Sequence, residues 1–179
     1  CYITEVTVKI FKYYPDNNKF YGYLVNDVED GVKVLREVMV NGYRPSVART
    51  YSPEDARQHF YHFYEGKCVL IFMAEGPAGI VEATGKGIEE AVEKFKDGIV
   101  KQVDSQLIEN WFNQLNWTQQ TIDDEIQGMI DNDKHDGYTT EVSADWETIT
   151  KIYNNVINRI RNEFPRADDL TMLGGHSSH

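Results

Sequence analysis

The sequence predicts an α+β fold in which helices cover an antiparallel or mixed sheet of ferredoxin-like βαβ units. Two observations carry this prediction. Strand-like segments alternate with longer segments whose apolar residues recur three and four positions apart. The succession strand–helix–strand, then strand–helix, is complete between residues 20 and 98. In addition, 179 residues with 41% hydrophobic content suffice for one substantial core or two small subdomains.

The first part of the chain predicts two strands joined by a turn. The alternating stretch YITEVTVKI (2–10) indicates a strand, YYPDNNK a turn, and FYGYLVN (20–26) a second strand. A helix follows, with Asn26 as its predicted cap and Glu29 completing a capping box. Gly42 is a suitable residue to end this helix, and Pro45 prevents its continuation.

The middle of the chain repeats the alternation. A short strand is predicted in PSVARTYS (45–52), a helical turn in PEDARQHFYHFYEG (53–66), and a central strand in the almost wholly apolar KCVLIFMAEG (67–76). We expect a loop and helix start in GPAGIVEATGKG, and a helix in GIEEAVEKFKDG (87–98).

The last third predicts mostly helices. Two helices lie between residues 104 and 136, the second beginning at Thr121, and the polar DNDKHDG ends them. A strand is predicted in YTTEVSA (138–144), and the longest helix in DWETITKIYNNVINRIRNEF (145–164), which Pro165 stops. The final strand is predicted in DLTMLGGHSSH.

Charge and cysteine content exclude several function classes. The net charge of -11 and the pI of about 4.8 argue against a nucleic-acid partner and against anionic membrane surfaces. No stretch reaches the roughly 20 apolar residues of a membrane span. The two cysteines, Cys1 and Cys68, form no disulfide framework, so a reducing cytoplasm is expected, with peripheral membrane association as an alternative.

Four polar residues are candidates for a site. Arg49, near the end of a short strand, is suited to clamp a carboxylate or phosphate, and Glu141 is a candidate to pair with it or to act as a base. His176 and His179 would face opposite sides of a regular strand, so a shared metal is not expected. The residues alone supply no complete catalytic set.

Three stretches together carry a resemblance to FAD-linked oxidases of the vanillyl-alcohol oxidase type. The segment that closes their flavin-binding domain is similar to YITEVTVKI. The start of their substrate, or cap, domain resembles EDGVKVLREVMVNGYRPSVARTYSPEDA, and its later half resembles YTTEVSADWETITKIYNNVINRI with LGGHSSH. The best match is the alkyldihydroxyacetonephosphate synthase branch, in which a Pro-x-x-x-Arg strand follows the first cap helix and a His-x-Ser-His stretch opens a late strand.

The resemblance implies a division of the chain. Residues 1–10 would be the last strand of a missing FAD-binding domain, and residues 11–179 a cap domain truncated at its C-terminal end. The tail GGHSSH is then native, the alternative being vector-derived residues. The chain alone would be inactive and would not retain FAD, and its partners would be the FAD-binding domain of the same polypeptide and, at an open strand edge, a second copy in a homodimer.

The resemblance also implies roles. Arg49 would lie on the substrate side of the flavin, and His176 and His179 would be catalytic residues near the active-site wall, where a neutral histidine can relay protons or donate to an anionic substrate. The parent enzyme would exchange the acyl group of acyl-dihydroxyacetone phosphate for a fatty alcohol, with Trp111, Phe112 and Trp117 as candidates to line an alkyl tunnel. One alternative is the cap domain of a D-lactate or glycolate dehydrogenase-like oxidase. Another is a stand-alone, non-enzymatic binding domain.

Overall fold

The computed structural model describes residues 2–115, 118–131, 139–170 and 172–178. In these residues the strands are β1 (Asn18–Val25), β2 (Val47–Tyr51), β3 (Cys68–Glu75), β4 (Ile99–Val103) and β5 (His176–Ser178). The α-helices are α1 (Val28–Val40), α2 (Pro53–His59), α3 (Ala78–Lys94), α4 (Ser105–Gln114), α5 (Gln119–Asp131) and α6 (Ile149–Glu163). Short 3-10 helices span Lys96–Gly98 and Ala167–Asp169.

The five strands form one sheet in the order β4-β1-β3-β2-β5, and every neighbouring pair is antiparallel. The order β4-β1-β3-β2 is that of a ferredoxin-like double βαβ arrangement, because α1 and α3 connect strands that are not neighbours. The predicted α+β class is therefore confirmed. The short β5, from the C-terminal end of the described chain, extends this core sheet along β2.

The apolar segment predicted as the central strand does lie at the centre of the sheet. In β3 every residue from Cys68 to Ala74 is buried, because strands flank it on both sides and helices cover both faces. One face, the α1/α3 face, packs strand residues against α1 and α3. The opposite face, the α2/α4 face, packs them against α2, Phe60 and α4.

The cap of α1 differs from the predicted one. The side chain of Asp27, not of Asn26, accepts a hydrogen bond from the backbone N–H of Asp30, at 2.8 Å. Asn26 is still engaged with the neighbouring chain segment, since its backbone N–H donates to the carbonyl of Gly98. Because the backbone of Asn26 is held in this way at the end of β1, the helix cap lies one residue later than predicted, at Asp27. Gly42 follows the helix with φ +90, as predicted for a residue in the left-handed region.

Helix α3 begins at Ala78, well before the predicted start near Gly87. The glycines that suggested a loop lie inside the helix, where a Cβ on Gly85 would collide with the side chain of Tyr21 and one on Gly87 with that of Tyr43. Glycine is used here for close approach between elements. Similarly, α5 begins at Gln119 rather than Thr121, and α6 is shorter than α3, contrary to the expectation that it is the longest helix.

Two predicted strands are not formed within the described residues. Residues 2–10 and 139–144 have strand-like sequences but belong to no strand, and their side chains are exposed. A strand requires a hydrogen-bonding partner, and the described sheet ends at β4 on one side and at β5 on the other. The interpretation of residues 1–10 as part of a missing domain stays a prediction. Within the described ranges, no helix combines the length and apolar character needed to cross a membrane.

Candidate functional site

A polar cluster lies at the β5 edge of the sheet, on the α2/α4 face. The register pairs Arg49 with Ser178 and Tyr51 with His176. Side chains alternate along a strand, so Arg49, Tyr51, His176 and Ser178 share one face. Two segments far apart in the sequence, β2 and the C-terminal β5, therefore bring the predicted Arg49 and His176 to the same edge of the sheet.

Asp55 supplies the centre of this cluster. Its side chain is only 4% exposed, and its two carboxylate oxygens contact different histidines. Oδ2 lies 2.8 Å from Nδ1 of His176, and Oδ1 lies 3.3 Å from Nε2 of His59, one helical turn further along α2. An ionised carboxylate only accepts hydrogen bonds, so both imidazoles are donors to it.

The charge of Asp55 is stabilised in spite of its burial. Burial is the largest influence on its carboxyl and on its own would raise the pKa. The hydrogen bonds and charge interactions from His176 and His59 together outweigh it and lower the pKa of Asp55 to about 2. Asp55 is consequently ionised across the physiological range.

Tyr51 joins the arginine to this histidine pair. Arg49 donates from a terminal guanidinium nitrogen to the phenol oxygen of Tyr51 at 3.2 Å. The Tyr51 ring lies with its centroid 4.9 Å from that of His176 and 4.9 Å from that of Phe60. Burial raises the pKa of Tyr51, against the opposing effect of Arg49, so the phenol stays protonated.

The paired glycines before β5 allow its close approach to β2. The backbone N–H of Ser52 donates to the carbonyl of Gly175 at 2.9 Å, and the N–H of Gly175 donates to the Ser52 hydroxyl at 3.2 Å. A Cβ on Gly174 would lie 2.5 Å from that hydroxyl oxygen and 2.9 Å from Cβ of Glu54. Ser52 also caps α2, so one residue fixes both His176 and Asp55 in place.

Of the other two predicted residues, Glu141 is not part of this cluster. Glu141 lies in an exposed segment and forms no salt bridge in the described part of the chain. His179 lies outside the described residues. The roles predicted for both stay predictions. Sequence reasoning missed Asp55 and Tyr51, and it assigned His59 to packing. The only local signal was the spacing of Asp55 and His59, which is that of neighbours on one helix face.

Two of the aromatic residues proposed to line an alkyl tunnel, Trp111 and Phe112, belong instead to the core. Trp111 is 8% exposed, and Phe112 packs at the rim of the same cluster on the α2/α4 face. The space enclosed by them with β1 and β3 has no room for a water molecule. Trp117 lies outside the described residues. Trp111 and Phe112 are thus core residues, and the stretch of chain described contains no tunnel around them.

The family described as FAD linked oxidases, C-terminal domain, matches residues 14–179. The chain belongs to this family. Two proteins called uncharacterized FAD-linked oxidoreductase YgcU are similar to the whole chain, one from Escherichia coli O157:H7 at 59% identity and one from Escherichia coli strain K12 at 58%. In each case the chain spans 36% of the relative's length.

Solved structures of alkyldihydroxyacetonephosphate synthase share the fold of this FAD-linked oxidase domain. One covers 85% of the chain and 32% of its own with a TM-score of 0.59, and a second covers 93% and 33% with a TM-score of 0.62. Both are 14% identical to the chain, so the likeness concerns the fold alone. The predicted resemblance to FAD-linked oxidases is confirmed, and the synthase structures share the fold.

The family implies FAD. Charged side chains line a groove and the β2–β5 cluster, and these two places differ in how well they suit an anionic group. A groove of about 320 Å³ lies between α2 and the segment after α6, and its charged lining consists of Glu54, Asp168 and Arg161. The one guanidinium is already paired with Glu54 at 3.0 Å, so the lining is poorly suited to a pyrophosphate. The β2–β5 cluster suits an anion better, because the guanidinium of Arg49 is a fixed cation there, beside the imidazole of His176, whose Nδ1 is engaged with Asp55. No group of three His, Cys, Asp or Glu side chains in the described ranges is arranged to hold a metal ion.

Proposed function

We propose that the chain is the substrate domain of an FAD-dependent oxidoreductase that oxidises a small 2-hydroxy acid such as D-lactate or glycolate. The observation that carries this proposal is the juxtaposition of Arg49, a fixed cation, with His176, an imidazole held by a buried carboxylate. An anion clamp beside a base suits a substrate that bears a carboxylate next to a hydroxyl group. The name oxidoreductase, borne by relatives 58–59% identical, supports the same reaction class.

In this proposal Arg49 holds the substrate carboxylate. Its guanidinium is planar, always charged, and oriented by the hydrogen bond to Tyr51. Tyr51 is itself fixed by its buried ring, so the cation has little freedom to turn away from the sheet edge. A bidentate contact would place the carbon next to the carboxylate at a defined distance from His176.

His176 takes the proton of the substrate hydroxyl group. Because its Nδ1 is engaged with Asp55, Nε2 is the nitrogen that accepts the proton. Bound FAD would supply the two-electron acceptor for the hydride, which leaves the carbon atom that bears this hydroxyl group. The product is then a 2-oxo acid, with one proton on His176. Oxidation is thereby divided between a base from this chain and a cofactor that other residues hold.

The second candidate is transfer chemistry of the alkyldihydroxyacetonephosphate synthase kind, with acyl-dihydroxyacetone phosphate and a fatty alcohol as substrates. The fold likeness supports it, and Arg49 would then bind the phosphate. The packing around Trp111 and Phe112 leaves no space for an alkyl chain, so this second candidate requires an apolar channel lined by other residues. Membership of the FAD-linked oxidase family argues against a non-enzymatic binding domain.

The first experiment is an anaerobic visible spectrum of the full-length flavoprotein with D-lactate or glycolate. Bleaching of the flavin bands is the expected result. An unchanged flavin spectrum together with turnover of acyl-dihydroxyacetone phosphate would replace this proposal by the second candidate. The 179-residue chain alone is expected neither to retain FAD nor to turn over substrate, and stoichiometric flavin binding by it would contradict a dependence on a separate FAD-binding domain.

The role of Arg49 is tested with Arg49→Ala in the same full-length protein. Loss of a charged hydrogen bond to the substrate weakens binding by about 1.5–3 kcal/mol. We expect a raised KM with flavin retained. Arg49→Lys keeps the charge but loses the bidentate contact, and Arg159→Ala removes an exposed arginine that pairs with Glu163 along α6. Equal kinetics for Arg49→Ala and Arg159→Ala would remove Arg49 from the site.

The cellular setting forms part of the same proposal. The cysteine usage favours the cytoplasm, and the partners proposed are the FAD-binding domain of the same polypeptide and a second copy in a homodimer. Size-exclusion chromatography with light scattering on the full-length flavoprotein distinguishes a dimer from a monomer.

A further inference from the structure

A buried carboxylate bonded to two histidines is an unusual feature for a helix of seven residues, because burying the charge costs free energy. Asp55 is buried, and an unpaired charge at such a position would destabilise the fold strongly. The first turn of α2 does not need it, because Ser52 caps the helix and Pro53 occupies its first position. The presence of a charge here therefore calls for a reason other than helix formation.

The two histidines bound to Asp55 differ in their surroundings. His59 is on the same helix, four residues away, and its contact with Asp55 is the longer one, at 3.3 Å. His176 comes from β5, makes the 2.8 Å contact, and lies against Tyr51, which in turn binds Arg49. The ring of His59 also contacts Tyr51, edge-on at a centroid distance of 5.7 Å, but of the two histidines it is His176 that lies on a strand paired with β2, opposite Tyr51.

We propose that Asp55 is a positioning residue that fixes the ring and the tautomer of His176, with the proton on Nδ1 and with Nε2 left to accept the substrate's proton. This inference rests on the proposed function, since it names the residue that orients the proposed base. Two constraints act together on the ring of His176. The hydrogen bond to Asp55 defines its edge, and the packing against Tyr51 defines its plane.

His59 has a supporting part in this arrangement. Its Nε2 occupies the second oxygen of Asp55, so that neither carboxylate oxygen is left buried without a partner. With both oxygens bound, the carboxylate cannot rotate without losing a hydrogen bond. His59 therefore holds Asp55 in the orientation that suits His176, and it makes no contact of its own with the substrate.

The decisive variants are Asp55→Asn and His176→Gln, singly and combined, in the full-length flavoprotein. The amide of asparagine can donate as well as accept, so it no longer dictates the tautomer of His176. We expect Asp55→Asn to lower kcat with D-lactate or glycolate by about 10- to 100-fold, less than the roughly 100- to 10,000-fold that a positioned acid or base contributes, because His176 itself is kept. The KM and the flavin content per protein are expected to stay close to those of the parent.

The combined variant separates positioning from general structural support. If Asp55 acts through His176, Asp55→Asn causes no further loss of kcat once His176 is glutamine. An additional tenfold loss in that background, or an Asp55→Asn single variant as active as the parent, overturns the proposal. His59→Gln is expected to show a smaller loss than Asp55→Asn. The matched control is Asp97→Asn, an exposed aspartate near the opposite edge of the sheet, which is expected to leave kcat unchanged.

A second measurement needs neither a variant of Asp55 nor a substrate. In the full-length protein labelled with ¹⁵N-histidine, the resonances of His176 are assigned by their loss in His176→Gln. The neutral ring is expected to carry its proton on Nδ1, and a proton on Nε2 overturns the proposal even if Asp55→Asn fails to fold. The Nδ1 tautomer without flavin bleaching by hydroxy acids would leave Asp55 as the positioning residue and place the error in the proposed substrate.

Discussion

The two faces of the sheet are built from the same strands but differ in what they carry. On the α1/α3 face, helices approach closely through glycines, as Gly31 does against Thr50, and the packed residues are mostly apolar. On the α2/α4 face, an aromatic cluster lies around Tyr51 and Phe60, and the polar residues Arg49, Asp55 and His176 lie next to it, toward β5. The α1/α3 face is covered by helices whose backbones lie close to the sheet, whereas the α2/α4 face has polar residues at its β5 edge.

This difference shows how one sheet combines stability with a site. Side chains alternate along β2, so Ala48 and Thr50 belong to the α1/α3 face while Arg49 and Tyr51 belong to the α2/α4 face. The packed face holds the strand rigidly, and a rigid strand presents its polar residues in a fixed geometry. Changes on the first face should therefore act on stability, and changes at the polar edge on pH dependence and activity.

The largest effect is expected from the centre of the α1/α3 face. Phe72 of β3 is fully buried there, and Phe72→Ala is expected to lower the free energy of unfolding by about 3–5 kcal/mol, through lost burial and the cavity left behind. Urea denaturation of the 179-residue chain, followed by circular dichroism, measures this. Tyr61→Ala, at a side chain 63% exposed, is the control with an expected change within about 0.5 kcal/mol.

The close approach of α1 to β2 is tested with Gly31→Ala. The new Cβ would lie 2.8 Å from Cβ of Thr50, so the helix must shift, and we expect a loss of about 1–3 kcal/mol. Gly128→Ala in α5 is the matched control, because a Cβ there meets nothing within 4 Å. That variant is expected to stabilise its helix by about 0.5–1 kcal/mol. Equal effects of the two variants would contradict closure of this face by backbone proximity.

The polar edge is expected to affect the free energy of unfolding at low pH. The pKa of Asp55 is lowered from 3.8 to about 2, so its stabilisation is complete above pH 4 and is lost as the pH falls toward 2. The contribution at neutral pH amounts to about 2 kcal/mol. Denaturation of the chain at pH 5, 4, 3 and 2 should show a steeper loss of stability for the parent than for Asp55→Asn. Parallel curves would mean that the carboxylate is not held by the histidines.

The smallest effect has the opposite sign. Thr50 is fully buried on the α1/α3 face, and among the described residues its hydroxyl oxygen has no hydrogen-bond partner. Thr50→Val removes this unpaired group while keeping the shape, so we expect stabilisation by about 1 kcal/mol. Thr50→Ser keeps the hydroxyl and loses a methyl group, and should destabilise. A loss of stability in Thr50→Val, measured by the same denaturation, would show that the hydroxyl is needed.

Much of the fold could be predicted from local patterns. The apolar stretch around Val69 and Ile71 identified the central strand, and Gly42 and Pro165 marked the ends of two helices. These features depend on residues close in sequence. The strand-like stretches 2–10 and 139–144 show the limit of such reasoning. Alternating apolar and polar residues indicate that a segment can form a strand, but they do not indicate that a partner strand is present.

The site was predicted only in part, for a related reason. Arg49 and His176 stood out by their residue types and by the resemblance to FAD-linked oxidases, and the structure brings both to one sheet edge. Asp55 carried no comparable signal, since an aspartate in the first turn of a helix is common for its effect on the helix dipole alone. Its role depends on a histidine 121 positions away.

The sequence by itself determined the class of the fold, the positions of most helices and strands, and the family, because periodicity, helix-ending residues and ordered motifs are all read along the chain. The tertiary structure alone decided the strand order, which aromatic residues became core, and the meeting of Asp55 with His176. Those features depend on distances between remote segments, and such distances are fixed only when β5 pairs with β2 and the buried carboxylate finds its partners.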